Sequence, residues 1–349
     1  MSKPDIRNYT RAELADIIVS SGGKKTFAPR LVNWLYRKNA ESFAVMDGIA
    51  ESVKSKLDAG YPFAKFKVVN RQVSKIDGTI KLLLRFHDGV SAESVIVPGK
   101  GRKSACLSSQ AGCACGCAFC ATGAMGLKRD LAPSEITAQF AACLREAGGA
   151  LSSVVFMGMG EPFLNWDNVK KSVLILSDNQ GFNFPQTKMT VSTVGIVPVI
   201  RELAESDFKI KLALSVITAD EKQRAELVPV NARYPLAEAV AAARHYCLAR
   251  KAQVFFEYIV FGGRNDSPED AEKLIKLIKG IDCRVNLIPY NPRSPGASSA
   301  LRPARAKEFQ RLLIAAGIRT YLRLEKGSDI MAACGQLAGE SDGVRSYRG

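Results

Sequence analysis

The 349-residue sequence predicts an α/β protein whose largest part is a partial (β/α)6 barrel. From residue 104 onward, short apolar runs alternate with helical stretches, which is typical of repeated βα units around a parallel sheet. About six units are too few to close an eightfold barrel, so the barrel should be partial. Two earlier regions have other patterns, and these predict a helical domain followed by a small antiparallel sheet.

The first region, residues 1–62, is predicted to be an N-terminal helical accessory domain. Thr10-Arg-Ala-Glu13 has the spacing of a capping box, in which the first and fourth side chains cap each other's backbone N–H groups. Apolar residues follow it at helical spacing. Residues 31–35 and 43–57 supply further apolar faces, so helices are expected over most of residues 8–60.

The second region, residues 63–98, is predicted to form a small antiparallel β extension. Every second residue from 80 to 86 is large and apolar, which is the period of a strand with one buried and one polar face. The pairs Asp77-Gly78 and Asp88-Gly89 lie on either side of this run and are turn signals.

The third region, residues 99–338, is predicted to form the barrel, and residues 339–349 a polar tail. The predicted strands are residues 105–108, 152–157, 189–192, 210–215, 254–260, 285–288 and 318–322. The predicted helices are residues 134–147, 166–177, 195–204, 235–249, 267–279 and 305–316. In such a sheet ligands bind at the carboxyl ends of the strands, so the residues after each strand are the candidates for a site.

The composition indicates a globular protein that attracts polyanions. Lysine and arginine outnumber aspartate and glutamate by 49 to 34, which gives a net charge of +15 and a pI near 9.4. Nucleic acid is the commonest polyanion, and a generally basic surface is the simpler alternative. No apolar run approaches the ~20 residues of a membrane helix, and no signal peptide is evident. We therefore expect a cytoplasmic protein with no membrane association.

Nine cysteines in such a compartment suit a metal site better than disulfides, and four of them lie in the run Gly112-Cys-Ala-Cys-Gly-Cys-Ala-Phe-Cys120. Cys113, Cys117 and Cys120 have Cys-x3-Cys-x2-Cys spacing, which can hold three irons of a [4Fe–4S] cluster and leave the fourth iron open. Because Cys115 adds a fourth thiol, tetrahedral zinc is an alternative. Buried thiols without a metal are a second alternative.

Polar residues follow four other predicted strands. Gly158-Met-Gly-Glu-Pro162 follows the second strand, where its glycines let the backbone approach a ligand and its glutamate can accept hydrogen bonds from an ammonium group. Ser192 and Ser215 end the next two strands, and Asn291 follows a later one. Because the carboxyl ends of parallel strands share one edge of the sheet, we expect these residues to form a polar rim facing the cysteine loop, as a small-ligand site requires.

With these motifs the chain resembles the radical S-adenosylmethionine (SAM) enzymes, and among them the RlmN/Cfr family of RNA methyltransferases. The stretches that carry the resemblance keep the family's order. They are Cys106-Leu-Ser-Ser-Gln-Ala-Gly-Cys113, Phe119-Cys-Ala-Thr-Gly123, Gly158-Met-Gly-Glu-Pro-Phe-Leu-Asn165, Val191-Ser-Thr-Val-Gly195, Asn286-Leu-Ile-Pro-Tyr-Asn-Pro292 and Ala333-Cys-Gly-Gln-Leu337. The resemblance implies a radical SAM barrel and an RNA-binding role for the N-terminal helices.

The resemblance also implies a role for each matching residue. It makes Cys113, Cys117 and Cys120 the ligands of a [4Fe–4S] cluster. The residues implied to hold S-adenosyl-L-methionine are Gly160, Glu161, Ser192, Ser215, Val216, Ile217 and Asn291. The family usually has a histidine where this chain has Ile217, so only backbone contacts are expected there. Cys106 and Cys334 match two reactive cysteines, and Glu93 matches a proposed proton acceptor.

The implied reaction adds a methyl group to carbon 2 of an adenine in 23S rRNA, tRNA or both. That carbon is electron-poor, so the family first methylates the cysteine matching Cys334 and adds its methylene radical to the base. Cys106 then assists proton removal and releases the product by forming a disulfide. A flavodoxin or ferredoxin is the implied electron donor, and a monomer is expected. A Cfr-like enzyme acting on carbon 8 and a zinc-bearing, non-catalytic RNA-binding protein remain as alternatives.

Overall fold

The structure, a computed structural model, describes residues 4–293, 303–323 and 325–339. Its strands, numbered β1 to β12 along the chain, are Lys67–Val73, Ile80–Arg85, Ser91–Gly99, Arg102–Cys106, Gln110–Gly112, Leu127–Asp130, Ser153–Phe156, Met189–Thr193, Lys211–Ile217, Val254–Val260, Cys283–Pro289 and Arg319–Leu322. Its α-helices, numbered α1 to α11, are Arg11–Ser20, Ala28–Val32, Glu51–Gly60, Ala121–Ala124, Pro133–Glu146, Trp166–Ser177, Val197–Glu205, Glu221–Leu227, Leu236–Arg250, Pro268–Ile278 and Pro303–Ala315.

Ten strands form one sheet in the order β1-β2-β3-β4-β7-β8-β9-β10-β11-β12. From β4 to β12 all neighbours are parallel, and helices α5, α6, α7, α9, α10 and α11 connect them as six successive βα units. Among the described strands, the two edges β1 and β12 do not pair, so the barrel stays open. The predicted α/β class and partial (β/α)6 barrel are confirmed.

The hydrophobic core lies between this sheet and its helices. In β10, Val254, Phe256, Tyr258 and Val260 are fully buried, while the residues between them point to the opposite face of the sheet. This alternation leaves one face of the strands for packing and the other for the interior of the barrel. None of the described helices is long and apolar enough to cross a lipid bilayer.

The antiparallel strands β1 to β3, here called the β extension, continue the main sheet because β3 pairs with β4. The sequence predicted one buried and one polar face for β2. The structure corrects this prediction: Leu82 and Leu84 are buried on one face, and Leu83 on the other is only 7% exposed. That second face is covered by residues 327–339. Lys81 donates a hydrogen bond to this segment, and Glu93 accepts two from it.

The N-terminal helices have a core of their own, built from residues between Ile6 and Leu57. The predicted capping box is confirmed, since the Thr10 and Glu13 side chains each accept from the other's backbone N–H. The helix predicted over residues 43–57 begins only at Glu51. The chain before it turns repeatedly, and Gly48 takes a φ of +75°, outside the helical region. The predicted tail lies outside the described residues except for Gly339.

Candidate active site at the carboxyl ends of the strands

The cysteine loop joins β5 to α4 and lies over the carboxyl ends of the parallel strands. Cys113, Cys115 and Cys117 are buried and Cys120 is half-buried. Gly112 begins the loop with a φ of +78°, and a Cβ there would lie 1.9 Å from the Gly126 carbonyl oxygen. Only glycine therefore allows the backbone to enter the loop in this direction.

The thiols of the loop lie within electrostatic range of one another. Burial, and after it the neighbouring Cys120 and Cys113, raise the pKa of Cys117. Yet within the described ranges no group of three or more His, Cys, Asp or Glu side chains converges as the ligands of a single metal ion would. The Cys115 backbone N–H donates to the Cys113 sulfur at 3.5 Å, which places Cys115 beside this thiol.

Glu161 lies under the cysteine loop and is 3% exposed. Its two carboxylate oxygens accept from the backbone N–H groups of Phe163 at 3.0 Å and Val194 at 2.8 Å. Burial nevertheless raises the pKa of Glu161 to about 7. A cationic group beside this carboxyl would favour its charged form, so the site suits an ammonium ligand.

Gly160 sets the position of that glutamate. Its φ is +97°, and a Cβ there would lie 2.5 Å from the Gln110 side chain. The side-chain oxygen of Gln110 accepts a hydrogen bond from the backbone N–H of Glu161, the residue after this glycine, at 2.8 Å. The glycine thus lets the turn after β7 pack directly on β5.

The structure brings the other predicted rim residues to the same edge of the sheet. The hydroxyl oxygens of Ser192 and Ser215, which end neighbouring strands, lie 3.3 Å apart. The Asn291 side-chain amide donates to the Cys334 carbonyl oxygen at 3.1 Å. Its Oδ1 is buried and has no hydrogen-bond partner among the described residues. A buried acceptor in this state fits a ligand that donates a hydrogen bond.

Val216 and Ile217 form an irregular strand end. Ser215 pairs with Glu257 and Ile217 with Tyr258, so Val216 is an extra residue in β9. Ile217 has a φ of +70°, and the Thr218 N–H donates across it to the Val216 carbonyl at 2.8 Å. This is a strained turn for a β-branched residue, at a cost of about 1–3 kcal/mol.

Cys106 and Cys334, two of the five cysteines outside the loop, lie within electrostatic range of each other. Cys106 is the last residue of β4 and half-buried, and Cys334 is exposed. Burial, followed by the nearby Cys334 thiol, raises the pKa of Cys106 to about 12. The structure therefore places within electrostatic range two thiols that are 228 residues apart in the sequence.

Comparisons with known proteins identify this arrangement. Residues 107–278 match the radical SAM superfamily, and residues 4–61 match the ribosomal RNA large subunit methyltransferase N-terminal domain. The dual-specificity RNA methyltransferase RlmN of Anaeromyxobacter dehalogenans is 40% identical over 345 residues, covering 97% of this chain and 92% of that one. The chain belongs to the RlmN family.

Two further comparisons cover nearly the whole chain. The probable RlmN of Thermotoga neapolitana is 40% identical over 325 residues, covering 93% of this chain and 94% of that one. A crystal structure of a radical SAM methyltransferase from Sphaerobacter thermophilus has a TM-score of 0.89 at 39% identity, covering 97% of this chain and 100% of that chain. The radical SAM fold expected from the sequence is therefore confirmed.

RlmN-family membership implies SAM and an iron–sulfur cluster, and the residues present fit both. The thiols of Cys120 and Cys113 both contribute, after burial, to the raised pKa of Cys117. The three predicted ligands therefore lie near one another, as the ligands of one cluster must. The unpartnered Asn291 Oδ1 and the buried Glu161 carboxyl suit the amino groups of SAM.

The sequence patterns missed two residues in this RlmN-family site. Glu257 is 6% exposed, accepts from Asn286 Nδ2 at 2.8 Å and lies within electrostatic range of Cys334. Arg224 is fully buried in α8 and donates to the carbonyl oxygens of Val216 at 3.1 Å and Val194 at 2.6 Å. Alternation along β10 could have indicated Glu257 as a residue facing the barrel interior. No pattern marks Arg224.

We expect Arg224→Met to lower the free energy of unfolding by about 3 kcal/mol or more. The substitution removes the donor of several buried acceptors, and each buried acceptor left without a hydrogen bond costs about 1–3 kcal/mol. Val194 also presents its N–H to Glu161, so SAM affinity should fall as well. Urea unfolding and calorimetric SAM titration would measure both effects.

Arg244→Met is the matched control, because Arg244 donates to the Lys279 carbonyl at an exposed position. This substitution should change the free energy of unfolding by no more than about 0.5 kcal/mol. Equal stability of the two variants would contradict this role.

Proposed function

We propose that this chain methylates carbon 2 of an adenine in 23S rRNA, tRNA or both, and that the methyl group passes through Cys334. The observation that carries the proposal is the position of Asn291. Its amide donates to the Cys334 carbonyl, and its unpartnered Oδ1 belongs to the rim expected to hold SAM. One side chain thus links the cofactor site to the cysteine proposed to carry the methyl group.

The chain's residues divide the proposed binding tasks. Cys113, Cys117 and Cys120 would hold the cluster, and Glu161 and Asn291 would bind SAM. When bound, the cluster and SAM supply a one-electron reduction that yields a radical able to abstract hydrogen from a methyl group. The other proposed SAM residues are Gly160, Ser192, Ser215, Val216 and Ile217. The apolar side chains packed around the cysteine loop keep water away from these groups.

Cys106 and Cys334 would carry out the proposed transfer. The methyl group on Cys334 loses a hydrogen atom, and the carbon radical adds to carbon 2 of adenine. The ring is restored by loss of one electron, which the oxidised cluster would accept, and of the carbon-2 proton, whose removal Cys106 assists. The Cys106 thiolate then attacks the Cys334 sulfur. An S–S bond forms while the C–S bond breaks. The electron pair of the broken C–S bond stays on the methylene carbon, which takes up a proton and becomes the methyl group. A dithiol reductant then restores both thiols.

RNA is the proposed substrate for two reasons. The relatives are RNA methyltransferases by name, and the N-terminal residues match a domain of a ribosomal RNA methyltransferase. The net charge of +15 would attract the phosphate backbone. A base that reacts within a barrel must be unstacked, so a loop adenine is favoured. A flavodoxin or ferredoxin as electron donor and a monomeric state remain part of the proposal.

Nucleoside analysis tests the proposed product. The anaerobically reconstituted protein would be incubated with SAM, a one-electron reductant and either 23S rRNA fragments or tRNA from a strain that lacks the gene. We expect 2-methyladenosine in digests of one or both RNAs. 8-Methyladenosine would show a Cfr-like activity instead, and no methylated adenosine in either RNA would contradict the proposal. Iron-free protein with one bound zinc would support the non-catalytic alternative.

A further inference from the structure

The reactive Cys334 lies in a segment without regular strands, residues 327–339, here called the Cys334 segment. The barrel holds its centre, where Asn291 donates to the Cys334 carbonyl and the Ala121 N–H to the Gly335 carbonyl. Both ends are held by the β extension and the turn between β1 and β2. These anchors are Lys75 N to Asp329 Oδ2 (3.0 Å), Gly327 N to Asp77 Oδ2 (2.9 Å), Lys81 Nζ to Met331 O (3.2 Å), and Ala338 N and Gly339 N to Glu93 Oε2 (2.9 and 3.1 Å).

Lys81 and Glu93 form the centre of this attachment. They lie on neighbouring strands β2 and β3, and Lys81 Nζ is 3.0 Å from Glu93 Oε1. The two side chains are only 11% and 7% exposed. Lys81 holds the carbonyl of Met331, three residues before Cys334, and Glu93 holds the N–H groups of Ala338 and Gly339 after it. One buried ion pair thus attaches the chain on both sides of the reactive cysteine.

We propose that Lys81 and Glu93 are positioning residues that fix Cys334 over the barrel, and that this is the function of the β extension. The proposal rests on the proposed role of Cys334 as the methyl carrier. The segment has no strand ladder to fix it, and a displacement of about 1 Å at a reacting atom can cost roughly 10²-fold in rate. A buried pair is suited to this task because removing one partner leaves the other charge buried without compensation.

This role differs from the proton acceptor that the family resemblance assigns to Glu93. Both of its oxygens already accept: Oε1 lies beside the Lys81 ammonium group, and Oε2 accepts two backbone N–H groups. Neither oxygen is therefore left without a partner inside the protein. A base for the substrate needs a free oxygen, whereas an anchor needs both oxygens engaged.

Variants of Lys81 separate the two roles, because a proton acceptor does not need the lysine. We expect Lys81→Met and Glu93→Gln to lower the rate of RNA methylation by similar factors, about 10- to 100-fold. The double variant should be no slower than the slower single variant, since both changes break one pair. Lys81→Arg keeps a cation and a donor and should restore most of the rate. Lys170→Met, which breaks an ion pair on the outer face of α6, should behave as wild type.

Hydrogen exchange provides a readout that does not depend on activity. In the cluster-loaded protein without SAM or RNA, backbone amides of the Cys334 segment should exchange about tenfold faster in Lys81→Met and Glu93→Gln than in wild type. Amides of α5 should be unchanged, which excludes general unfolding. Intact mass should show a lower fraction of methylated Cys334 in both variants.

Two results would overturn the proposal. In the first, the Lys81→Met variant methylates RNA at the wild-type rate and the amides of its Cys334 segment exchange at the wild-type rate, while Glu93→Gln is inactive. This result would make Glu93 a proton acceptor. In the second, the Cys334 segment exchanges equally in all variants. Failure of the proposed function has another signature: wild-type protein would methylate neither Cys334 nor RNA, while exchange of the segment would still report on the attachment.

Discussion

Single replacement of Cys113, Cys117 or Cys120 by alanine should abolish the stable cluster, whereas Cys115→Ala should leave it intact. Each of the three thiolates would hold one iron, so the loss of one exposes a second iron to solvent. Cys115 is buried and contacts Cys113 through its backbone N–H, which makes it a packing neighbour of a ligand. Iron and sulfide content, together with visible absorption after anaerobic reconstitution, would measure the result.

Cys143→Ala is the matched control for these variants. Cys143 is fully buried in α5, away from the loop, and its replacement removes a thiol without touching the cluster site. It should bind iron and sulfide as wild type does, even if the free energy of unfolding falls slightly. Loss of iron from Cys115→Ala together with its retention in Cys113→Ala would show that the ligands are wrongly assigned.

The strands of the barrel were predictable because they are buried on the face that packs against helices. The run 254–260 was predicted with the bounds that β10 has, and the helix 166–177 with those of α6. The meeting of Ser192 and Ser215 also followed from sequence, since parallel neighbours end at one edge. Hydrophobic periodicity did not predict the structure of residues 43–50. Apolar side chains there suggested a helix face, but the segment forms turns and bends.

The irregular parts of the site could not be predicted from local patterns. The left-handed φ of Ile217 contradicts the preference of a β-branched residue, so no propensity indicates it. The family's usual histidine would accept this conformation more readily, because histidine is enriched at positive φ. Arg224 lies in the short helix α8, whose polar sequence resembles an exposed surface, yet the residue is fully buried.

The attachment of Cys334 to the β extension also depends on contacts that no local pattern contains. Lys81 and Met331 are 250 residues apart, and Glu93 and Ala338 are 245 apart. In the sequence Lys81 occupies the polar face of an alternating strand, which is usually exposed. Only the folded chain shows that a second layer covers this face. Because these contacts join distant parts of the sequence, no local pattern indicates a role for Lys81, and the chemical role expected for Glu93 comes from the family resemblance alone.

Cys334→Ala should retain its cluster and bind SAM but carry no methyl group and modify no RNA. Cys334 is exposed, and its carbonyl, which survives the substitution, makes the contact with Asn291. The loss should therefore be chemical, with little change in the free energy of unfolding. Intact mass, SAM titration and nucleoside analysis would measure the three properties. A Cys334→Ala protein that still methylates adenine would exclude the methyl-cysteine route.

Cys106→Ala should become methylated on Cys334 and then stop with RNA covalently attached. Addition to adenine needs only the methyl carrier, whereas release needs the Cys106 sulfur to attack the Cys334 sulfur. The proximity of the two thiols in the structure supports this second step, since Cys334 contributes to the raised pKa of Cys106. Protein purified from cells should contain RNA that survives denaturant, and nuclease digestion should leave one modified adenosine on Cys334.

A purely structural role for Cys106 predicts a different result. Cys106 is half-buried at the end of β4 and packs against the main core, so alanine there would lower stability without forming an adduct. Cys143→Ala again provides the comparison, because it removes a buried thiol from the same core and leaves both thiols that are proposed to react, those of Cys106 and Cys334, in place. Covalent RNA in Cys106→Ala but not in Cys143→Ala would separate chemistry from packing. A normally active Cys106→Ala enzyme would rule out the two-thiol mechanism.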